Sequence, residues 1–214
     1  FIQSHSQKLD CLARAGIESA VVLPFKKIVG MTSQDFIGEV LVGGISPARI
    51  IVGSDWRFGK GREAGIEELQ KELTKSGIEV LSSEHLNYLG TRISSGRIRA
   101  AILEGNFTQA ADMLGSPWSL SGLVVRGFGR GKTIGIPTAN IKAKAGIITP
   151  LPGVYFGKAF TAEGASFKAV VNIGNNPTFG NSETSIEAHL FDYQGGDFYN
   201  QSLRLELRGK IRDE

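Results

Sequence analysis

The stretch Val124–Ile141, VVRGFGRGKTIGIPTANI, decides how the second half of the chain is read. Gly131, Lys132 and Thr133 supply the G-K-[ST] ending of a phosphate-binding loop, but that loop needs a glycine five residues before Gly131, where Arg126 stands. Such a loop also opens a helix, whereas Ile134, Gly135, Ile136 and Pro137 follow here, and Pro137 has no N–H to donate. The stretch is a glycine turn entering an extended segment.

Beyond it, short segments alternate apolar and polar residues. Val154, Phe156 and Phe160 alternate with Lys158 in GVYFGKAF. Ile186, Ala188 and Leu190 alternate with Glu187 and His189 in SIEAHLF, and Leu203, Leu205 and Leu207 with Arg204, Glu206 and Arg208 in SLRLELR. Gly and Asn clusters separate these segments, which predicts a compact antiparallel barrel or sandwich. Before it, GSPWSLSG (Gly115–Gly122) reads as a linker.

Upstream of the linker the period changes. Leu9, Leu12 and Ala13 recur at helical spacing, and SAVVLP (Ser19–Pro24) reads as a short buried strand. Thr32 or Ser33 can cap a helix carrying Phe36, Ile37, Val40 and Leu41. A second strand, ARIIVG, a helix with Ile66, Leu69 and Leu73 on one face, a third strand around IEVLS and a helix from about Ser95 to Glu104 follow. Strands separated by helices imply a parallel sheet with right-handed crossovers, so the first half is α/β.

Composition limits the function classes. The 214 residues are 41% hydrophobic with a single cysteine, Cys11, which excludes an internal disulfide framework and implies a reducing compartment, the cytoplasm. The three histidines lie far apart, so a zinc site is not expected. Net charge is +3 and the basic residues are interleaved with acidic ones except near Arg126–Lys132 and Arg92–Arg99, which favours local anion sites over a nucleic-acid footprint. No apolar run has the length of a membrane helix, nothing at the start reads as a signal peptide, and no obligatory protein partner is inferred. The first residue is Phe, so a fragment or processed form is expected.

In PTAN, a period of two sends Thr138 and Asn140 to one face, and a hydroxyl beside an amide oxygen suits magnesium with nucleotide phosphates. A turn in which Thr and Asn bond local backbone explains the same residues. The glycines of RGFGRGK, with Arg126, Arg130 and Lys132, can form a concavity for a polyphosphate, or a solvated hairpin turn. Glu187 points away from whatever Ile186, Ala188 and Leu190 bury; it is either a base for an alcohol undergoing phosphoryl transfer or a solvated strand glutamate.

RGFGRGKTIGIPTAN, VVNIGNNPTFG (Val170–Gly180) and SIEAHLFDY (Ser185–Tyr193) together resemble the riboflavin kinase family. The resemblance implies a six-stranded barrel. It also implies a glycine loop (Gly127, Gly129, Gly131, Lys132) closing over ATP, magnesium and phosphate held by Thr138 and Asn140, and Glu187 as base on the ribityl 5′ hydroxyl. The flavin side falls at Asn172 and Arg212, and LRGKIRDE is similar to the segment that leads into a closing helix not included here.

In the first half, IIVGSDWRFGKG is a strand end followed by Asp55, Arg57 and Arg62, placed to face a ligand at the carboxyl edge of a parallel sheet. Alternatively, Trp56 and Phe58 pack the loop and the charges are solvated. In ISSGRIR, Ser94 and Ser95 begin a helix with Arg99 a turn later, suited to phosphate or to an ordinary serine cap. VGSDWRFGKG and ISSGRIR resemble the FMN adenylyltransferase module that precedes riboflavin kinase in bacterial bifunctional FAD synthetases. That likeness places Asp55 on the flavin and nucleotide side and Ser95 and Arg99 at ATP phosphates. Gly96 replaces the family's Thr, and the family's initial strand and H-x-G-H loop are not in this sequence.

The expectation is therefore an α/β Rossmann-like nucleotidyltransferase domain over residues 1–116, incomplete at its N-terminus, followed by an all-β riboflavin kinase barrel over 117–214. The implied substrates and products are ATP, riboflavin, FMN and FAD, with Mg²⁺, and the adenylyltransferase activity is expected to be lost from this chain. The alternatives are a non-catalytic flavin- or nucleotide-binding remnant and a nucleotidyltransferase for another substrate.

Overall fold

The segment GVYFGKAF is extended as its sequence predicts, but the face is corrected: Tyr155 and Ala159 are fully buried while Phe156, grouped with Val154 and Phe160 as the apolar set, is exposed, because Lys158 shares their parity and that face looks outward. The structure, a computed structural model, describes residues 1–126, 138–176, 183–195 and 199–213. Its contacts form two compact units, Phe1–Gly16 with Ile93–Glu214, and Ile17–Arg92. The expected division at 116/117 follows a change in sequence character; compactness divides the chain elsewhere, because residues 1–16 and 93–116 belong with the barrel.

In the first unit, helices α1 (His5–Arg14), α5 (Ser95–Leu103) and α6 (Phe107–Leu114) accompany strands β5 (Ser119–Val125), β6 (Ala139–Ala143), β7 (Gly153–Phe160), β8 (Ser166–Asn176), β9 (Glu183–Leu190) and β10 (Ser202–Arg212). The strands close into an antiparallel barrel in the order β10-β5-β6-β9-β8-β7. Its interior holds Leu120, Val124, Ile141, Val171, Ile173, Ile186, Ala188, Leu203 and Leu205, all buried. Each large aliphatic side chain so buried contributes about 1.5–3 kcal/mol. A Cβ on Gly157 would lie 2.0 Å from the Glu206 carbonyl oxygen, so close approach of β7 and β10 requires glycine there.

The expected linker is corrected here. Ser119–Val125 is the first barrel strand, and Trp118 is 1% exposed, stacked on Phe107 at 5.9 Å with its Nε1 donating to the Ile2 carbonyl at 2.9 Å. Ser and Gly gave the stretch a loop's composition, but Trp118 and Leu120 anchor it in the core. Ser4 and Gln7 form a reciprocal cap at the start of α1, and Gln7 Nε2 also donates to the Ser119 carbonyl at 3.1 Å.

In the second unit, strands β1 (Arg49–Gly53) and β2 (Glu79–Ser83) pair in parallel. Helix α4 (Ile66–Thr74) supplies Leu69 and Leu73 to a core with Ile37, Phe58 and Ile78. Short helices α2 (Phe25–Ile28) and α3 (Ser33–Asp35) precede β1, and Thr32 caps α3. After α3 the chain continues as a π-helix, Phe36–Ile45. The wider turn changes which residues meet the core: Phe36, Ile37, Leu41 and Val42 pack there, where a period of 3.6 selects Val40.

SAVVLP is also corrected. It forms no strand, and Val21 and Val22 are 69% and 62% exposed. Apolar β-branched composition predicts strand character, but a strand exists only where a neighbour accepts its backbone hydrogen bonds, and no described strand pairs with it. Strands β3 (Asn87–Tyr88) and β4 (Thr91–Arg92) form a small hairpin that ends this unit.

Candidate active site

Three neighbouring strands carry the second-half residues singled out above. Glu187 sits between buried Ile186 and Ala188, Asn172 between buried Val171 and Ile173, and Asn140 beside buried Ile141, so all three project from the outer face of the barrel. The ladder aligns them in one row: Asn140 is registered with Glu187, and Glu187 with Asn172. Thr138, two residues before Asn140, directs its hydroxyl to Glu187 Oε2 at 3.4 Å. That contact is long for a hydrogen bond.

The row continues through Val154 to Arg212 on β10. In the closed six-stranded barrel β10 is three strands from β9 in either direction, so the structure does not bring Arg212 next to Glu187. At the other end, Val125 is registered with Asn140, and Arg126 leads into the glycine loop with its guanidinium 5.5 Å from the Tyr199 ring centroid. Gly127, Gly129, Gly131 and Lys132 lie outside the described residues.

A hydroxyl, an amide oxygen and a carboxylate are hard oxygen donors, and they fit magnesium that takes its remaining ligands from phosphate and water. Among the described residues no group of three or more His, Cys, Asp or Glu is placed to hold a metal.

In the unit Ile17–Arg92, Asp55 follows the carboxyl end of β1 and lines a cleft of about 740 Å³ with Ser54, Trp56, Arg57, Arg62 and Lys71. Trp56 stacks on Phe58 at 4.6 Å, which fixes the loop while leaving Asp55 exposed. Arg92 donates to Asp55 Oδ2 at 2.7 Å, and His85 Nε2 lies 3.4 Å from Oδ1. The Arg92 hydrogen bond holds the Asp55 carboxyl below its ordinary pKa, against the opposing effect of desolvation and with help from the Arg92 and His85 charges. His85 and Arg92 carry no local motif; His85 is marked only by polar character after the neighbouring parallel strand β2, and Arg92 by its place at the start of the basic cluster Arg92–Arg99.

Ser95 and Arg99 lie in the other unit, on α5. Ser94 caps this helix by accepting from the Arg97 N–H at 3.3 Å, and Arg99 donates to Ser95 Oγ at 3.4 Å, so the two predicted residues share one helix face. A Cβ on Gly96 would meet only Ser94 Oγ, at 3.7 Å, so the position has room for a side chain.

Comparison with known proteins matches residues 114–214 to the riboflavin kinase family and residues 2–97 to the FAD synthetase family. The bifunctional riboflavin kinase/FMN adenylyltransferase of Haemophilus influenzae is 32% identical over 208 residues, 97% of this chain and 67% of that protein. The chain belongs to the bifunctional riboflavin kinase/FMN adenylyltransferase family.

The Escherichia coli (strain K12) member is 35% identical over 97% of this chain, which spans 66% of that relative's length. A solved structure described as a macrolide-efflux protein from Streptococcus pneumoniae matches 100% of this chain and 68% of its own, with a TM-score of 0.89 and 30% identity. Among the described residues, no helix is long and apolar enough to cross a membrane. The family assignment agrees with the resemblance carried by the PTAN and SIEAHLF segments, and the closed barrel is the architecture that resemblance implies.

Proposed function

We propose that the barrel transfers the γ-phosphoryl group of ATP to the 5′ hydroxyl of riboflavin, giving FMN and ADP. The observation that carries this reading is the registered pair Asn140 and Glu187 with Thr138 beside them on one outer face. Glu187 takes the hydroxyl proton as the ribityl oxygen forms its bond to phosphorus and the bond to the ADP oxygen breaks. Thr138 and Asn140 would hold magnesium, which when bound neutralises phosphate charge. Arg126 stands at the entrance to the glycine loop, which shields the phosphates, and Asn172 and Arg212 lie on the flavin side.

The whole protein would also join FMN to ATP, the FMN phosphate attacking the α-phosphorus and pyrophosphate leaving. Asp55 serves the flavin and nucleotide side of that reaction, and Ser95 and Arg99 the ATP phosphates. The two activities divide the chain near 116/117, in keeping with the two family matches. The binding-only alternative has less support, because Thr138, Asn140 and Glu187 occur together on one face. Incubation with riboflavin, ATP and magnesium, read by HPLC for FMN and FAD, tests the reading. FMN from the parent chain and none from a Thr138→Ala, Asn140→Ala double variant supports it; equal yields from both remove these residues from the reaction.

A further inference from the structure

Phe156 is 48% exposed, on the outer face of β7 beside the row that holds Glu187. It is registered with Val170 on one side and with Gly209 on the other, where a bulge after Leu207 shifts β10. A Cβ built on Gly209 would lie 2.5 Å from Phe156 Cε1 and 2.9 Å from Cζ, so the phenyl ring occupies the space of the missing side chain. Covering a strand glycine with a neighbouring aromatic stabilises a sheet and explains one face of the ring. The rest of the ring is exposed apolar surface.

Its place relative to Glu187 indicates what covers it. Thr138, Asn140 and the end of β5 lie on one side of β9; Asn172, Val154 and Phe156 lie on the other. In-line transfer puts the donor and acceptor on opposite sides of the moving phosphoryl group, and the base contacts the acceptor. With the nucleotide on the β5–β6 side, the acceptor alcohol extends over β8 and β7. Measured round the curved outer face, two strand spacings, about 10 Å, lead from β9 to β7, a span that suits an extended five-carbon chain with a ring beyond it.

We propose that Phe156, laid over Gly209, is the platform on which the planar ring of the flavin acceptor stacks, and so a specificity-determining residue of the kinase reaction. This rests on the riboflavin kinase reading of the barrel. An offset aromatic pair favours a ring over an aliphatic partner of similar area.

The test titrates riboflavin fluorescence with the parent chain and with Phe156→Ala, Phe156→Leu and Phe156→Trp, and measures KM for riboflavin and for ATP. Leu keeps an apolar cover over Gly209 and remains informative if the Ala variant does not fold. The expected result is a rise of about tenfold in riboflavin Kd and KM for Ala and Leu. Near-parent values for Trp and for ATP are expected alongside it. Unchanged riboflavin affinity in a folded Leu variant, or a rise in ATP KM alone, overturns the platform while FMN formation by the parent leaves the kinase reading standing. A parent chain that neither quenches nor phosphorylates riboflavin overturns both.

Discussion

Asn140 and Glu187 face one another as directly registered partners across the β6–β9 ladder, with the Thr138 hydroxyl 3.4 Å from the same carboxylate. The proposed ligand for phosphate or metal is thereby held beside the proposed base by the strand ladder. Glu187→Gln keeps the size of the side chain and removes its basicity. FMN formation should fall by about 10²–10⁴-fold, the usual contribution of general-base catalysis, with ATP affinity unchanged. Turnover near that of the parent would remove Glu187 from the chemistry.

Asn140→Ala leaves the base in place and takes away one oxygen donor. The magnesium concentration giving half-maximal rate should rise about tenfold or more, while the rate at saturating magnesium recovers substantially. A magnesium curve that superimposes on the parent's would assign Asn140 to packing.

The Asp55–Arg92 pair gives a pH prediction with a definite sign. The folded-state pKa of Asp55 is depressed, first by the Arg92 hydrogen bond. Its contribution is therefore present above the ordinary aspartate pKa and is lost as pH falls through the lowered folded value. Carbon-detected NMR titration should place the Asp55 midpoint below that of an unperturbed aspartate, and Arg92→Ala should move it back up. No movement would mean that the pair does not form in solution.

Gly157→Ala should destabilise the barrel by about 1–3 kcal/mol, because the added methyl meets the Glu206 carbonyl at 2.0 Å and the two strands must part. Urea unfolding followed by tryptophan fluorescence measures the loss. A midpoint equal to the parent's would show that β7 and β10 do not approach so closely.

Strands β9 and β10 were legible because a two-residue period survives burial of one face, whereas in β7 the bulkier apolar set Val154, Phe156 and Phe160 lies on the outer face and Tyr155 and Ala159 fill the core. The same parity put Glu187 outside, opposite Ile186 and Ala188, where the structure has it. Composition misled where it stood in for partners. SAVVLP has a strand's residues without a ladder, and GSPWSLSG has a linker's residues around a buried Trp118. The shift from Val40 to Val42 came from a helix whose turn is wider than the period assumed. His85 and Arg92 were not legible, since they reach Asp55 only when separate segments converge.

Closure of the barrel makes the site sensitive to parity. Strand β9 is held on both sides, and Ile186, Ala188 and Leu190 fix which of its faces looks inward. Gaining or losing one residue within β9 would exchange inside and outside for every position beyond it. Substitutions on the outer face can thus be accepted one at a time, whereas a change in the length of β9 is absorbed by its turns or turns Glu187 into the core.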